Sequence, residues 1–297
     1  MVNDRRADNQ RYRAPVIAEL ERRGLVVQSQ GFLESVPGFL VTLTRVLGHR
    51  ADLLFSSNLK SNILVLAFGR GQTLILLNGL GRLRQRRWFR ALFLLLLRNR
   101  KAVEIVVQSY ADFRYLRRQR LTVPLHWVPG SGGSMKHTGD PGVAVLVQRD
   151  NKIALVAADL KSLFDTHRGT IELVVVGCRD QRRLAAILPV PHRSTGIIPT
   201  SDIFRDGGIF IQPSGYGDGF PHTLADAIIS GMEIWISNRA ALRSGVSRLG
   251  ARLIPLAPGW SRLVEREGPA AAVSVPTIAA RMADLCEAGI ARAGRQT

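Results

Sequence analysis

The 297-residue chain is 46% hydrophobic and carries 41 Lys and Arg against 23 Asp and Glu, a net charge of +18 at pH 7. That length and apolar content supply a sizeable core, two ordinary domains being the natural division, while the charge points to a polyanionic or phosphorylated neighbour without identifying it. Two cysteines, Cys178 and Cys286, are too few for a disulfide framework or a Cys-rich metal site, and no stretch approaches the roughly 18 uninterrupted apolar residues of a membrane span.

The N-terminal MVNDRRADNQRYR lacks the apolar segment of a secretory signal, so a cytosolic protein is expected. It also leaves little room for a strand before the first helix. A helix is predicted over residues 14–23, then strands LVVQ (25–28), DLLFS (52–56) and TLILL (73–77). A helix over 84–100, strand VEIVVQ (103–108) and a helix over 110–120 follow. Past a stretch rich in Gly and Pro, VPGSGGSMKHTGDPG (128–142), the alternation resumes. It gives strand VAVLV (143–147), a helix over 152–166, strands IELVVVG (171–177) and GIFIQP (208–213), a helix over 221–231 and strand EIWIS (233–237). Short strands apolar on both faces, separated by helices, predict parallel sheets covered on both sides. The expected fold is therefore α/β: two doubly wound Rossmann-like lobes with a cleft between them, residues 1–138 and 139–297, the last helix free to pack back on the first lobe.

Residues 218–226, DGFPHTLAD, hold two acids around a Gly-Phe-Pro turn and the start of an apolar run. Pro221 suits a helix start, and Gly219 lets backbone approach a ligand closely. The free N–H groups and positive dipole end of such a helix favour an anion, and Asp218 and Asp226 can accept hydrogen bonds from sugar hydroxyls. Read alone, the same residues are more simply a plain Pro-initiated helix with acids at its positive end.

In PSGYGDGFPHTLADAIISGMEIWIS (213–237) the order of a Pro-Ser pair, an acid-Gly-x-Pro turn, a second acid and an apolar strand resembles the signature of family-4 retaining glycosyltransferases. Further segments, SSNLKSNILVLAFGR (56–70), LLNGLGRL (76–83), VVQSYADFRYL (106–116) and VPGSGG (128–133), resemble the subgroup that extends lipid-linked oligosaccharides and exopolysaccharides. The resemblance implies a GT-B fold and a nucleotide-sugar donor, with Asp218 and Asp226 at the two catalytic acid positions. It also implies donor contacts from Gly219, Phe220, Pro221, Thr223 and Leu224, with Arg149 and Lys152 facing the diphosphate, as a leaving group gaining charge requires. It implies no metal and no cofactor. On the acceptor side, Lys60, Gly79, Gly81, Arg82, Gly130, Ser131 and Gly132 could meet the diphosphate of a lipid-linked saccharide; read alone, they are ordinary loop glycines and solvated cations. Asn58, Ser61 and Asn62 are weaker candidates.

The stretch GRLRQRRWFRALFLLLLRNRK (81–101) reads either as a basic amphipathic helix for an anionic membrane surface or as a helix packing its Leu side on a sheet. Nucleic acid is disfavoured, because no helix-turn-helix, RNP-like or zinc-finger pattern is present. His222, at the helix start, reads as a turn histidine. The signature also departs from the family: both acids are Asp where relatives carry Glu, Arg149 and Lys152 stand three positions apart rather than five, and Asn78 replaces a His or Thr. The expectation is a peripheral glycosyltransferase on the inner face of the cytoplasmic membrane, the alternative a catalytically degenerate partner in a polysaccharide assembly complex.

Overall fold

A sheet strand that buries both faces must place successive side chains in two different cores, and the central strands of this chain do so. The computed structural model describes residues 1–33, 35–48, 51–81, 86–100, 102–167, 171–188, 191–214, 219–265 and 268–295. They form two compact units, Met1–Ser131 with Val275–Thr297, and Gly132–Ser274.

The first unit holds β1 (Val2–Asn3), β2 (Gln30–Gly31), β3 (Leu54–Ser57), β4 (Thr73–Leu77), β5 (Val103–Val107) and β6 (Leu125–Trp127). Their order is β2-β1-β3-β4-β5-β6, every pair parallel. The helices are α1 (Arg6–Tyr12), α2 (Ala14–Arg22), α3 (Val36–Leu47), α4 (Leu59–Phe68), α5 (Arg87–Arg98), α6 (Tyr110–Arg118) and the C-terminal helix Val275–Ala293. Leu74 and Leu76 of β4 point to one face, where α2 and the C-terminal helix supply Val16, Leu20, Ile278 and Met282. Ile75 and Leu77 point to the other, where Leu66, Phe89, Phe93, Leu97 and Leu116 of α4, α5 and α6 cover them. Ion pairs hold the C-terminal helix: Arg23 reaches Asp284 and Glu287 at 2.7 and 2.8 Å, and Arg292 Nε donates to the buried Glu104 at 2.9 Å.

Two expectations change here. A first strand does exist: Val2–Asn3 suffices to pair with both β2 and β3. LVVQ (25–28) is not a strand. Its Leu25 and Val27 pack on the core while Val26 is 91% exposed, and the ladder is taken up two residues later by Gln30–Gly31.

In the second unit β7 (Val143–Val147), β8 (Glu172–Val176), β9 (His192–Gly196), β10 (Ile209–Gln212) and β11 (Glu233–Ser237) are parallel, in the order β9-β8-β7-β10-β11. An antiparallel hairpin, β12 (Ala251–Ala257) and β13 (Trp260–Glu265), extends the sheet beside β11. The helices are α7 (Asp150–Thr166), α8 (Gln181–Ile187), α9 (His222–Ile229), α10 (Asn238–Ser244) and α11 (Pro269–Val273). Again the strands divide their side chains: Ala144 and Leu146 meet Ile153, Val156 and Leu160 of α7, while Val145 lies on the side of Leu224 and Ile228 of α9. The chain moves outward from β7 through β8 to β9, then returns to lay β10 on the other side of β7. That reversal leaves a crevice between the carboxyl ends of β7 and β10, the place where open α/β sheets bind ligands. The expected α/β architecture of two doubly wound, parallel-sheet units is the one the chain adopts.

Candidate functional site

Both segments flanking the β7/β10 crevice carry residues singled out from sequence. After β7, Arg149 caps α7 with extended backbone, its carbonyl accepting from Lys152 N at 2.8 Å and Ile153 N at 3.1 Å. Arg149 is exposed and Lys152 half-buried. Asp150, in the first turn of α7, accepts from Arg179 N and Asp180 N at 3.0 and 3.2 Å and so fastens the turn after β8.

After β10 the chain passes Pro213 and Ser214; Asp218 lies outside the described residues. Gly219 is half-buried, and the Phe220 side chain sinks into the core with Leu224, anchoring the turn that Pro221 completes. Pro221 is the N-cap of α9 rather than its first helical residue, and its carbonyl accepts from Leu224 N at 3.1 Å and Ala225 N at 3.2 Å. The first turn, containing His222, Thr223 and Leu224, holds no acid, and Pro221 offers no side-chain cap. A helix N-terminus carries about half a positive charge, and here no carboxylate of its own first turn offsets it. Leu224 is wholly buried and its N–H is taken by the Pro221 carbonyl, so it presents no group to a ligand. Beside this helix start lies a shallow recess lined by Gln212, Pro213, Gly219, Pro221, Leu224 and Arg243.

Asp226 is one turn deeper and only 6% exposed. Its Oδ1 accepts the Ser134 N–H at 2.8 Å, and burial raises its pKa above the ordinary carboxylate value, against the opposing pull of that hydrogen bond, Lys136 and His222. The segment it holds is pressed on α9: Lys136 N donates to Ser230 Oγ at 2.8 Å, and His222 Nδ1 lies 3.3 Å from the Gly132 carbonyl oxygen. A Cβ on Gly133 would stand 2.4 Å from the Ala225 carbonyl carbon and 2.6 Å from Asp226 N, so only glycine fits there. Asp226 is therefore a fastener as well as a candidate ligand-binding acid.

In the first unit, the carboxyl ends of the strands carry a connected polar network. Arg13, only 4% exposed, donates to Asn78 Oδ1 at 2.7 Å and Ser131 Oγ at 2.8 Å. Asn78 Nδ2 donates to Asn58 Oδ1 at 2.7 Å, Asn58 Nδ2 to Asn3 Oδ1 at 2.6 Å, and Gln108 Nε2 to the Gly130 carbonyl at 2.6 Å and Ser131 Oγ at 2.9 Å. Burial lowers the Arg13 pKa to about 10, Asp8 offsetting part of that through space. Asn58, at φ 71° and ψ 151°, occupies a backbone region that costs a non-glycine residue roughly 1–3 kcal/mol. Those two side-chain bonds and a third, from Asn58 Nδ2 to Asp8 Oδ2 at 3.4 Å, hold it there.

The sequence candidates of this unit divide between scaffold and surface. Asn62 Nδ2 donates to the Leu76 carbonyl at 2.9 Å and Ser61 Oγ to Asp4 at 2.7 Å, both internal struts. Gly79 and Gly81 flank Leu80, whose side chain plugs the core and whose N–H donates to Asp112 at 2.8 Å; Gly81 is left-handed at φ 50°. Lys60 is exposed at the start of α4, and Arg82 lies outside the described residues. Gly130 and Gly132 are left-handed, and the boundary between the units falls between Ser131 and Gly132. Arg13 and Gln108 were missed, because an Arg at a helix junction and a Gln ending a strand carry no local signature. Among the described residues no group of three or more His, Cys, Asp or Glu could hold a metal ion.

No family model and no curated protein matches this sequence. Solved structures match its backbone. S. aureus TarM is 11% identical, with a TM-score of 0.53 over 85% of this chain and 55% of that one. The pneumococcal O-GlcNAc transferase GtfA, in complex with UDP and GlcNAc, is 14% identical with a TM-score of 0.53 over 87% and 55%. Anabaena HepE in complex with UDP is 11% identical with a TM-score of 0.59 over 96% and 88%. The fold is GT-B. The chain spans about 55% of the TarM and GtfA chains it matches. GT-B architecture at such identities leaves the chemistry open, since a Listeria monocytogenes protein assigned as a UDP-N-acetylglucosamine 2-epimerase matches with a TM-score of 0.50 at 11% identity.

Proposed function

We propose that the chain transfers a sugar, with retention, from a nucleotide-sugar donor held by the second unit to a polyprenyl-diphosphate-linked or polysaccharide acceptor that the first unit recognises. The observation that carries this reading is the start of α9: an acid-free helix N-terminus, reached through Gly219 and Pro221, at the β7/β10 crevice. There the backbone N–H groups would receive the donor diphosphate, with Lys152 and Arg149 on the neighbouring strand end adding positive charge as the nucleotide departs. Asp226 and Asp218 would hold sugar hydroxyls, and retention would follow from attack by the acceptor hydroxyl on the face the nucleotide leaves. GLG at 79–81, Lys60, Arg82, Gly130, Ser131 and Gly132 would face the acceptor diphosphate. The GT-B neighbours bound to UDP support the donor class. No helix among the described residues is long and apolar enough to cross a membrane, so access to a lipid-linked acceptor at the inner face of the cytoplasmic membrane would be peripheral.

Calorimetry with UDP-, GDP- and dTDP-sugars tests the proposal. One donor should bind, with at least about tenfold loss in Lys152→Ala, a charge-assisted contact being worth that much. Failure of every donor to bind would overturn it. A second reading, a noncatalytic GT-B partner in a polysaccharide assembly complex, draws on the burial of Asp226 and the engagement of its carboxylate by Ser134. Donor hydrolysis or transfer that disappears in Asp218→Ala would eliminate it.

A further inference from the structure

We infer that the outer face of the α3–α4–α5 layer is a docking surface for a membrane rich in anionic headgroups. This deepens the reading of the acceptor as lipid-linked, and it is tested without any glycosyl transfer.

A surface helix ordinarily turns charged and polar side chains outward. Helix α3 does the reverse. It buries Thr42 and Val46 and exposes Val36 (75%), Pro37, Leu40, Val41, Thr44 and Leu47, with Arg45 its one charged residue, also exposed. Val46 packs with Val65 of α4, and α4 in turn packs against α5, so the three helices form one layer, with Phe68 exposed at the end of α4.

Helix α5 adds the second half of the surface. Phe89, Phe93 and Leu97 face the core, while Trp88 (64%), Leu92 and Leu95 recur at helical spacing on the outside. Arg86, Arg87, Arg90 and Arg98 are exposed around them. From Val36 to Arg120 the sequence holds sixteen Lys and Arg against three acids, Asp52, Glu104 and Asp112. Glu104 and Asp112 are buried, which leaves Asp52 as the one exposed acid of that stretch.

The chemistry selects the occupant. A second copy of this face would meet the same positive charge. A nucleic acid would satisfy the arginines and leave the apolar side of α3 in water. A bilayer with anionic headgroups meets both demands at once, Trp88 and the Leu and Val side chains entering the interface while the arginines face the phosphates. Among the described residues the second unit offers no comparable layer: its exposed large apolar side chains there, Met135, Leu155, Ile197 and Leu242, stand on separate segments.

The test is flotation of the purified full chain with vesicles of phosphatidylcholine alone and of phosphatidylcholine with about 30% phosphatidylglycerol. Binding should be confined to the anionic vesicles and weaken with salt. Arg87→Glu with Arg90→Glu should lower partitioning about tenfold or more. Leu40→Ser with Leu95→Ser, which leaves the net charge unchanged, should lower it about tenfold with little change in the unfolding midpoint, since both side chains are already more than half exposed. Absence of binding to anionic vesicles, or binding that ignores the Leu40 and Leu95 changes, would overturn the inference, the latter by reducing it to bulk charge attraction. Single-stranded RNA bound as tightly as the vesicles, with no loss in the Leu variants, would overturn it too. UDP-sugar binding measured on the same preparations keeps the two questions apart: donor binding without vesicle binding sinks only the docking surface.

Discussion

At the carboxyl ends of its strands the second unit draws on three segments, 133–136, 149–152 and 212–226, whereas the first gathers Asn3, Arg13, Asn58, Asn78, Gln108 and Ser131 from six separate places in the chain. The charge divides as unevenly: of the net +18, the first unit carries +15 and the second +3. The turn and helix start over 219–224 sit within a few neighbouring residues, which fix their chemistry, and only the segments that press on them come from elsewhere. A site built from six places exists only once the sheet has closed, so it is as much a product of topology as of residue type.

The largest expected effect breaks the local site. Gly133→Ala would drive a Cβ into the backbone of α9, where Ala225 and Asp226 cannot swing aside as a flexible side chain would. We expect a loss of about 3 kcal/mol in urea unfolding, the cost of overpacking against a rigid wall. A change below about 0.5 kcal/mol would mean that the segment is not held against the helix.

Breaking the dispersed site should cost somewhat less. Arg13→Ala removes a donor from both Asn78 and Ser131, but it also removes a buried charge that Asp8 balances only through space. The two contributions oppose each other, and about 2 kcal/mol of destabilisation is expected. Arg13→Lys should recover little, because an ammonium cannot bridge two acceptors in the planar fork that guanidinium offers. Stability equal to that of the parent in both variants would show that the network is incidental.

The architecture was legible in the sequence where a run of apolar residues crossed the whole sheet: TLILL, VEIVVQ, VAVLV and EIWIS all became strands whose alternate side chains fill opposite cores. Short or edge strands were not legible. Val2–Asn3 and Gln30–Gly31 contain too few residues to show a period, and β12 is interrupted by Pro255. Periodicity also misled at LVVQ, where an in-out-in pattern reflects a loop lying on a core rather than a ladder. The same divide governs the sites. The start of α9 was readable because Gly219 and Pro221 are chemically distinctive neighbours, while Arg13 is one of 41 basic residues, distinguished only by its burial.

A smaller effect sharpens the dual role of Asp226. Burial raises its folded pKa above the ordinary 3.8, so the folded state binds the proton more tightly than the unfolded chain. Its contribution to stability is then greatest below pH 3.8 and is lost as pH rises through the raised folded value. Asn in its place keeps an oxygen for Ser134 N–H without the charge. Relative to the parent, Asp226→Asn should gain on the order of 1 kcal/mol between acid and neutral pH, read as a widening difference in thermal midpoint. If the same variant loses donor binding, the acid is retained for its ligand at the expense of the fold; a flat difference across pH would show that Lys136 and His222 fully offset its burial.

The smallest effect uses the two thiols as reporters, one in each unit. Cys178 lies in the second unit, its Sγ donating to the Gln148 carbonyl at 3.4 Å, and burial pushes its pKa up to about 11. Cys286 lies on the C-terminal helix in the core shared with Val16 and Leu20, its pKa pushed up to about 12 by burial. Both should stay protonated near pH 8, and iodoacetamide should modify the native protein at least about 100-fold more slowly than the denatured chain. Reaction then requires opening, and its rate reports the population opened. Gly133→Ala should accelerate Cys178 with less effect on Cys286, because the clash it introduces lies within the second unit. Arg13→Ala should do the opposite, since the network it breaks lies in the first unit, beside the start of the helix that packs against the one bearing Cys286. Equal acceleration of both thiols by either change would mean that the two units open together, and that local and dispersed sites share one cooperative fold.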